Sequence, residues 1–428
     1  MSNASIKRLG GLRVWDSRGR PTIEAIVELE DGSVGRAMAP AGASTGSGEA
    51  LDKRDGGAAF GGYDVTVALA ALRDEIAPAL IGQDPTDQAA IDTVLIELDG
   101  TPDKSRLGGN ASIATSMAVA HAAAKANGVP LWRYLLGDAP AALPLPEIQI
   151  FGGGAHAGRR VDIQDFMVTA IGADNYAQAL DWTAEVYRAA GELLAAEGRL
   201  QGVADEGGYW PNFDSNEQAL GFLVKAIERA GFVPGADVAI SLDIAASQLG
   251  RAGRYRLSKD RRDMDSDGLI EMLLQWLDRY PIVSIEDPLA EDDAEGFARF
   301  TAAVGRRIQV VGDDFLVTNA AKVKAATEAK SCNTLLVKPN QAGTLTETRA
   351  ALEAARKGGF GAIVSARSGE TEDVTVVHLA VGWGVAQMKV GSFTRSERMA
   401  KWNEGLRISE EIGGTGKLPP KTAFPWGR

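Results

Sequence analysis

The sequence predicts an α+β amino-terminal capping domain, residues 1–140, followed by an α/β (βα)8-like barrel over residues 141–428. Three observations point there. Apolar and polar residues alternate over the first thirty positions, as strands with one wet face require. From Asp64 to about Ala124 the pattern turns helical and rich in Ala, Leu and Val. Beyond Pro144 and Pro146, short apolar strands alternate with amphipathic helices, and strand after strand ends on a residue able to do chemistry.

In chain order, Ile6 to Val14 and Thr22 to Leu29 read as hairpin strands, the second closed by the turn Glu30-Asp31-Gly32. The helical stretch that follows is interrupted near Gly100 and Gly108, as in a small helical subdomain packed on that sheet. Gly137-Asp138-Ala139-Pro140 marks a surface connection, and the domain boundary is placed there. Six later strands then end in turn at Asp243, Glu286, Asp313, Lys338, Ser365 and Lys389. These ends lie 43, 27, 25, 27 and 24 residues apart, each gap long enough for a helix and its loops. An open doubly wound sheet is the alternative, but six loaded strand ends converge more readily on a closed barrel mouth.

Composition narrows the function. Asp and Glu number 57 against 45 Lys and Arg, a net charge of -12, which repels nucleic acid and anionic membrane surfaces. An acidic substrate must then be held by local positive charge or by metal ions. The single cysteine, Cys332, excludes a disulfide framework and a thiolate-held metal cluster, and fits a reducing compartment. Met1 to Gly11 carries no hydrophobic signal segment, and no run of about 18 apolar residues occurs, so a cytoplasmic protein is expected.

The strand ends define the chemistry. Asp243, Glu286 and Asp313 make an oxygen-only site suited to a hard cation such as magnesium. Lys338 and Lys389 follow on the same rim, and a lysine beside a divalent cation can be lowered in pKa enough to abstract a proton. Asp205-Glu206-Gly207-Gly208 sets acids before a double glycine whose backbone can approach a ligand closely. Asp162 and Asp165 flank Ile163-Gln164, and a carboxylate there is expected to share a proton or a water with Glu206. The glycine-rich segments 42–48 and 152–158 read as lids, and His156 beside Arg159 and Arg160 suggests contact with an anion. Neither segment is a P-loop, because no Gly-Lys-Ser/Thr follows.

Asp16-Ser17-Arg18-Gly19, Gly42-Ala43-Ser44-Thr45-Gly46, Gly153-Gly154-Ala155-His156-Ala157, Asp205-Glu206-Gly207-Gly208, Ser284-Ile285-Glu286-Asp287-Pro288, Gly312-Asp313-Asp314, Gln341-Ala342-Gly343-Thr344-Leu345-Thr346-Glu347-Thr348, Arg367-Ser368-Gly369-Glu370-Thr371-Glu372-Asp373 and Gly391-Ser392-Phe393-Thr394-Arg395-Ser396-Glu397-Arg398 together resemble the enolases. The resemblance runs nearly end to end. It implies an enolase-type barrel and a magnesium-dependent hydro-lyase of glycolysis that interconverts 2-phosphoglycerate and phosphoenolpyruvate plus water. Two magnesium ions are implied, the first on Asp243, Glu286 and Asp313, the second joined by Ser44 when its loop closes over substrate. Lys338 would be the base, Lys389 would stabilise charge building on the substrate carboxylate, and Glu206 would help the hydroxyl leave. Asp165 stands at a catalytic acid position. Arg367 and Ser368, with the strand-end Ser365, match the phosphate side, while His156 and Gln164 match pocket residues. The resemblance also implies a homodimer in which Arg18 pairs with Glu410 and Glu24 with Arg407 across the interface.

The departures cluster at the substrate's far end. Ala366 replaces a histidine before the Arg-Ser pair, Asp165 replaces a glutamate, Gly152 an asparagine, and Gly158-Arg159-Arg160 the usual acidic and amide residues. Two further readings follow: a paralogue acting on a related phosphate or phosphonate, similar to carboxyphosphonoenolpyruvate synthases, or a non-catalytic binding protein on the enolase fold. Retention of both lysines and every cation ligand argues against the latter.

Overall fold

The structure, a computed structural model, describes residues 4–414 and 416–427. Its first sheet is antiparallel in the order β1 (Ile6–Trp15), β2 (Pro21–Leu29), β3 (Val34–Met38). The central strand β2 is mostly buried, and Ile23, Ala25, Val27 and Leu29 line one of its faces at the two-residue strand period. The helix Gly109–Ala126 packs across this sheet. Small residues let it come close: a Cβ on Gly35 of β3 would sit 2.1 Å from the Ala118 carbonyl oxygen. The interruptions expected at Gly100 and Gly108 are helix boundaries. Gly100, at φ 69, caps the helix Gln88–Asp99, and Gly108, at φ 110, precedes the helix Gly109–Ala126.

The second sheet closes into a ring. Its first strands are β4 (Leu145–Gly152) and β5 (Asp165–Thr169). The hairpin β6 (Leu200–Val203) and β7 (Tyr209–Pro211) branches from β4, and the ring resumes with β8 (Ala239–Asp243). A separate antiparallel patch, β9 (Gly250–Arg251), β10 (Arg254–Leu257) and β11 (Arg262–Asp265), comes next. β12 (Ile282–Glu286), β13 (Gln309–Gly312), β14 (Thr334–Val337), β15 (Gly361–Ser365) and β16 (Gln387–Ser392) complete eight ring strands, and β16 pairs with β4 to close it. Side chains alternate between lumen and outer wall, so Val311, Leu336 and Ile363 form a small apolar cluster apart from the main core.

The barrel departs from a plain (βα)8 pattern at one strand. β5 runs antiparallel to both β4 and β8, whereas the other ring pairings are parallel. The cause is the connection: residues 153–164 join β4 to β5 without a full crossover helix, and a parallel pair needs one. The reversal brings the first residue of β5, Asp165, to the same end of the barrel as the last residue of β8, Asp243, its register partner. Helices between the later strands begin on side-chain caps, with Asp265, Asp293, Asn319 and Thr344 each accepting a first-turn N–H. Among the described residues no helix is long and apolar enough to cross a membrane.

Candidate active site

All six loaded residues meet at one mouth, but Lys389 is not a strand end as expected: Gly391 and Ser392 go on pairing with β4, so the lysine projects from within β16. Glu286 and Asp243 are register partners on β12 and β8, and Ser365 and Lys389 on β15 and β16. Lys389 Nζ lies 2.8 Å from Glu286 Oε2, 3.1 Å from Asp243 Oδ2 and 3.3 Å from Asp165 Oδ2. Lys338 Nζ lies 2.5 Å from Asp313 Oδ2. Burial alone would depress both lysines, but the facing carboxylates outweigh it: Asp313 raises Lys338, and Asp243, Glu286 and Asp165 hold Lys389 well above the ordinary range. Glu286 is pushed well up by burial and by repulsion from Asp243.

The donor set fits a divalent cation. Asp243, Glu286 and Asp313 are all buried, and Glu286 Oε1 has no hydrogen-bond partner, a costly state for a buried carboxylate oxygen unless a cation or other donor meets it. The other ligand oxygens are oriented by neighbours. Gln164 Nε2 donates to Asp243 Oδ2 at 2.8 Å, the Ala245 N–H to Asp243 Oδ1 at 2.9 Å, and Gln341 Nε2 to Asp313 Oδ1 at 2.9 Å. Asp287 accepts the N–H groups of Asp313 and Asp314, fixing the turn that presents Asp313. Asp287, Asp313 and Asp314 also bring ligand oxygens within 4.8 Å of one another. Asp314 is pushed up to about 8 by burial and by Asp313.

A second cluster faces the lysines. His156 Nδ1 is 3.1 Å from Asp165 Oδ1 and its Nε2 is 3.8 Å from Glu206 Oε1. Gln149 fastens the group, donating to Asp165 and accepting the Gly208 N–H at 2.8 Å. Burial would lower His156, yet Asp165 and Glu206 outweigh it and raise it. The expected carboxylate partnership therefore runs from Asp165 through His156 to Glu206. Asp162 takes no part in it: its oxygens accept from Asn216 Nδ2 and the Ser258 and Lys259 N–H groups, a staple between loops.

The surroundings of Arg367 and Ser368, expected to hold an anion, are more enclosed than the sequence suggests. Arg367 donates to Glu49 Oε2 at 3.0 Å, Asn340 Oδ1 at 3.1 Å and the Ser44 carbonyl at 3.0 Å. A Cβ on Gly42 would lie 1.9 Å from that guanidinium and 2.8 Å from the Ser44 carbonyl oxygen, so this glycine of the 42–48 segment is demanded by packing. Ser368 Oγ is 3.5 Å from Arg18 Nη1, while Ser365 Oγ turns to the Ala366 carbonyl at 2.9 Å. Arg159 lines a groove of about 370 Å³ with Ser44, Gln248 and Asp314, and Arg160 stands over the Trp210 ring.

Arg18 does not face outward for a partner. Its side chain is 6% exposed and donates to Asp16, the Ala41 carbonyl and Ser368, so the expected pairing with Glu410 of another copy is not available to it. Glu49, Gln149 and Asn340 also join the site without standing in any of the motifs or strand ends that the sequence offers, whereas Gln341 heads the segment 341–348. Of those three, Glu49 directly follows the 42–48 glycine loop and was the one with a local signal.

Two family models match: the enolase N-terminal domain over residues 6–135 and the enolase C-terminal TIM barrel domain over residues 140–424. The chain is 46% identical over 427 residues to a protein named Enolase 1 from Desulfitobacterium hafniense (strain Y51), covering 99% of this chain and 98% of the relative. It is 46% identical over 422 residues to an Enolase from Acidothermus cellulolyticus (strain ATCC 43068 / DSM 8971 / 11B), again covering 99% and 98%.

Proposed function

The chain belongs to the enolase family, and from that premise we propose that it is a hydro-lyase converting 2-phosphoglycerate into phosphoenolpyruvate and water, and the reverse. The observation that carries the reading is the placement of Lys338 and Lys389 at one barrel mouth, each in contact with carboxylates of a cation-binding set.

Lys338 Nζ takes the proton from the carbon alpha to the substrate carboxylate, and the C–H electron pair moves onto that carboxylate. The Lys389 ammonium neutralises the charge arriving there. The pair held on the carboxylate then returns to form the double bond to the next carbon as that carbon's bond to its hydroxyl breaks with its pair on oxygen, and Glu206, within 3.8 Å of His156, delivers the proton with which the hydroxyl leaves as water. Asp165 keeps His156 oriented and favours its charged form through its 3.1 Å contact. Arg367 and Ser368 hold the phosphate, and Gln164 and His156 line the pocket. Asp243, Glu286 and Asp313 would hold magnesium, with Ser44 and its loop joining a second, substrate-dependent ion; when bound, these ions supply positive charge to the doubly ionised carboxylate.

A cytoplasmic homodimer working in glycolysis completes the reading. The edge strand β1 exposes Leu12 and Trp15 at 45% and 50%, which supports a covered sheet face. Arg407 is exposed and, among the described residues, pairs with Glu404 of its own helix, but Glu24, its expected partner across the interface, is 7% exposed within one protomer, so that pairing requires the Glu24 side chain to turn outward. The direct test is phosphoenolpyruvate absorbance from 2-phosphoglycerate with magnesium. No turnover under those conditions would overturn the proposal.

One observation favours a second reading, a related phosphate or phosphonate substrate handled by the same proton abstraction. At the end of β15 the residue before Arg367 is a methyl group, Ala366, and Arg367 already serves three acceptors. Substituting Ala366→His together with Asp165→Glu discriminates. A gain in 2-phosphoglycerate turnover of about tenfold or more, the worth of about 1.4 kcal/mol, supports it; wild-type turnover of tens per second or more, in the upper part of typical enzyme values, excludes it.

A further inference from the structure

Two of the three histidines lie outside the mouth, in an interdomain groove of about 810 Å³. Its walls are β3, the helix Gly109–Ala126 with the turn that follows, and the barrel helix Thr375–Gly382. Arg36, His121, Lys125 and His378 line it, and no acidic side chain does. In a chain of net charge -12 that is an unusual local sign. Among the described residues neither Arg36 nor Lys125 has a carboxylate within ion-pair distance, although both are exposed. The volume lies within the roughly 300–1,000 Å³ of small-molecule sites.

We propose that this groove binds a phosphate-bearing small molecule, its dianionic group on Arg36 and Lys125 and its body against Val34, Val129 and Leu131. Two cations with no carboxylate in direct contact suit a dianion, with Glu24 near enough to Arg36 to offset part of its charge, and a guanidinium presents its donors as a fork to phosphate oxygens. The histidines form the floor. His378 is fixed, its Nδ1 accepting the Trp132 N–H at 3.3 Å and its Nε2 lying 3.3 Å from Glu404 Oε1. His121 is adaptable. Its Nε2 lies 2.9 Å from Thr375 Oγ1, and since a hydroxyl can donate or accept, Nδ1 of the neutral ring is free to donate to an anion. The two rings meet edge to face at 5.8 Å, so an occupant touching His121 is felt at His378. Residues of both family domains line the groove, so its occupant would bear on how the amino-terminal domain seats on the barrel.

The three histidines make their own reporters. With histidine rings labelled at Cε1, the full-length protein is titrated with inorganic pyrophosphate, and His→Gln variants assign the three signals. The expected result is saturable movement of the His121 and His378 signals, weakened at least about tenfold in Arg36→Gln/Lys125→Gln, as the loss of two charge-assisted hydrogen bonds implies. Both substituted side chains are exposed, so the fold should not depend on them. Movement of the His156 signal alone, binding unchanged in the double variant, or equal shifts from sodium chloride at matched ionic strength would each overturn the site.

Discussion

Lys338 Nζ lies 2.5 Å from Asp313 Oδ2, so the group assigned to take a proton is held charged by a group assigned to hold a cation. The same carboxylate cannot serve both fully. A cation drawing on Asp313 loosens its hold on the ammonium, and the lysine can then shed its proton. Chelation with EDTA should therefore stop exchange of the substrate's alpha hydrogen with deuterated solvent. Lys338→Ala should stop it even with magnesium present while substrate binding stays measurable, because the loss falls on the transition state. Exchange at the wild-type rate in that variant would remove Lys338 as the base.

Cation affinity is the second expectation. Asp243 and Glu286 share Lys389, and Glu286 Oε1 is left without a partner, so each carboxylate has capacity for a metal ion. Asp243→Ala should weaken magnesium binding by about tenfold or more, since a hard cation depends on the number and charge of its oxygen ligands. Isothermal calorimetry measures it directly. Unchanged affinity would move the cation elsewhere, with the Asp287, Asp313 and Asp314 set as the next place to look.

Five of the six loaded positions were legible as strand ends, because a strand has a local signature and its last residue is the natural place for a barrel's chemistry, while Lys389 was legible as a barrel residue though β16 runs on past it. The direction of β5 was not. It depends on whether twelve residues, 153–164, hold a crossover helix, and their glycines and arginines carry no periodicity either way. The partners of Arg367 were hidden for a different reason: Glu49 meets it from 318 positions away, once the amino-terminal loop has docked on the barrel, and Asn340 from 27 positions away, once β14 and β15 lie side by side. Asp162 shows the converse. Beside Gln164 and Asp165 it looked chemical, but its hydrogen bonds are spent on Asn216, Ser258 and Lys259.

Glu147 supplies a stability test. It is buried in β4 opposite Lys389, accepts Gln387 Nε2 at 2.9 Å, and burial pushes its pKa up to about 6 despite Lys389. A raised carboxyl pKa means the folded chain binds more protons than the unfolded one between about 4.5 and 6, so this group costs stability as pH rises through that window. The full cost above it is on the order of 2 kcal/mol. Glu147→Gln keeps an acceptor for Gln387 and offers a donor to Gln387 Oε1, which has no partner. Its melting temperature should exceed wild type by about 1–3 °C at pH 7.5 and match it near pH 4.5. Parallel pH profiles for the two proteins would show that Glu147 carries no such penalty.

The last prediction concerns the cluster opposite the lysines. His156 is enclosed, and burial would make it a poor cation, yet Asp165 at 3.1 Å and Glu206 at 3.8 Å overcome that and raise it. For a histidine raised in the folded state, the favourable contact is fully present below the unfolded value of about 6.5 and is lost as pH climbs through the higher folded value. If the charged ring orients the substrate's anionic groups, kcat/KM should fall through that same higher pH. Asp165→Asn removes the nearer partner without changing the shape of a side chain that has no room to grow. The His156 titration midpoint should then move down, and the alkaline fall in kcat/KM should move with it. Asp165→Glu, by contrast, forces a methylene between Gln149 and His156 and should cost about 1–3 kcal/mol of stability by overpacking. Following the labelled His156 ring and the rate over one pH series separates the alternatives: a midpoint that stays in place in Asp165→Asn would show that Glu206 alone sets the charge of this ring.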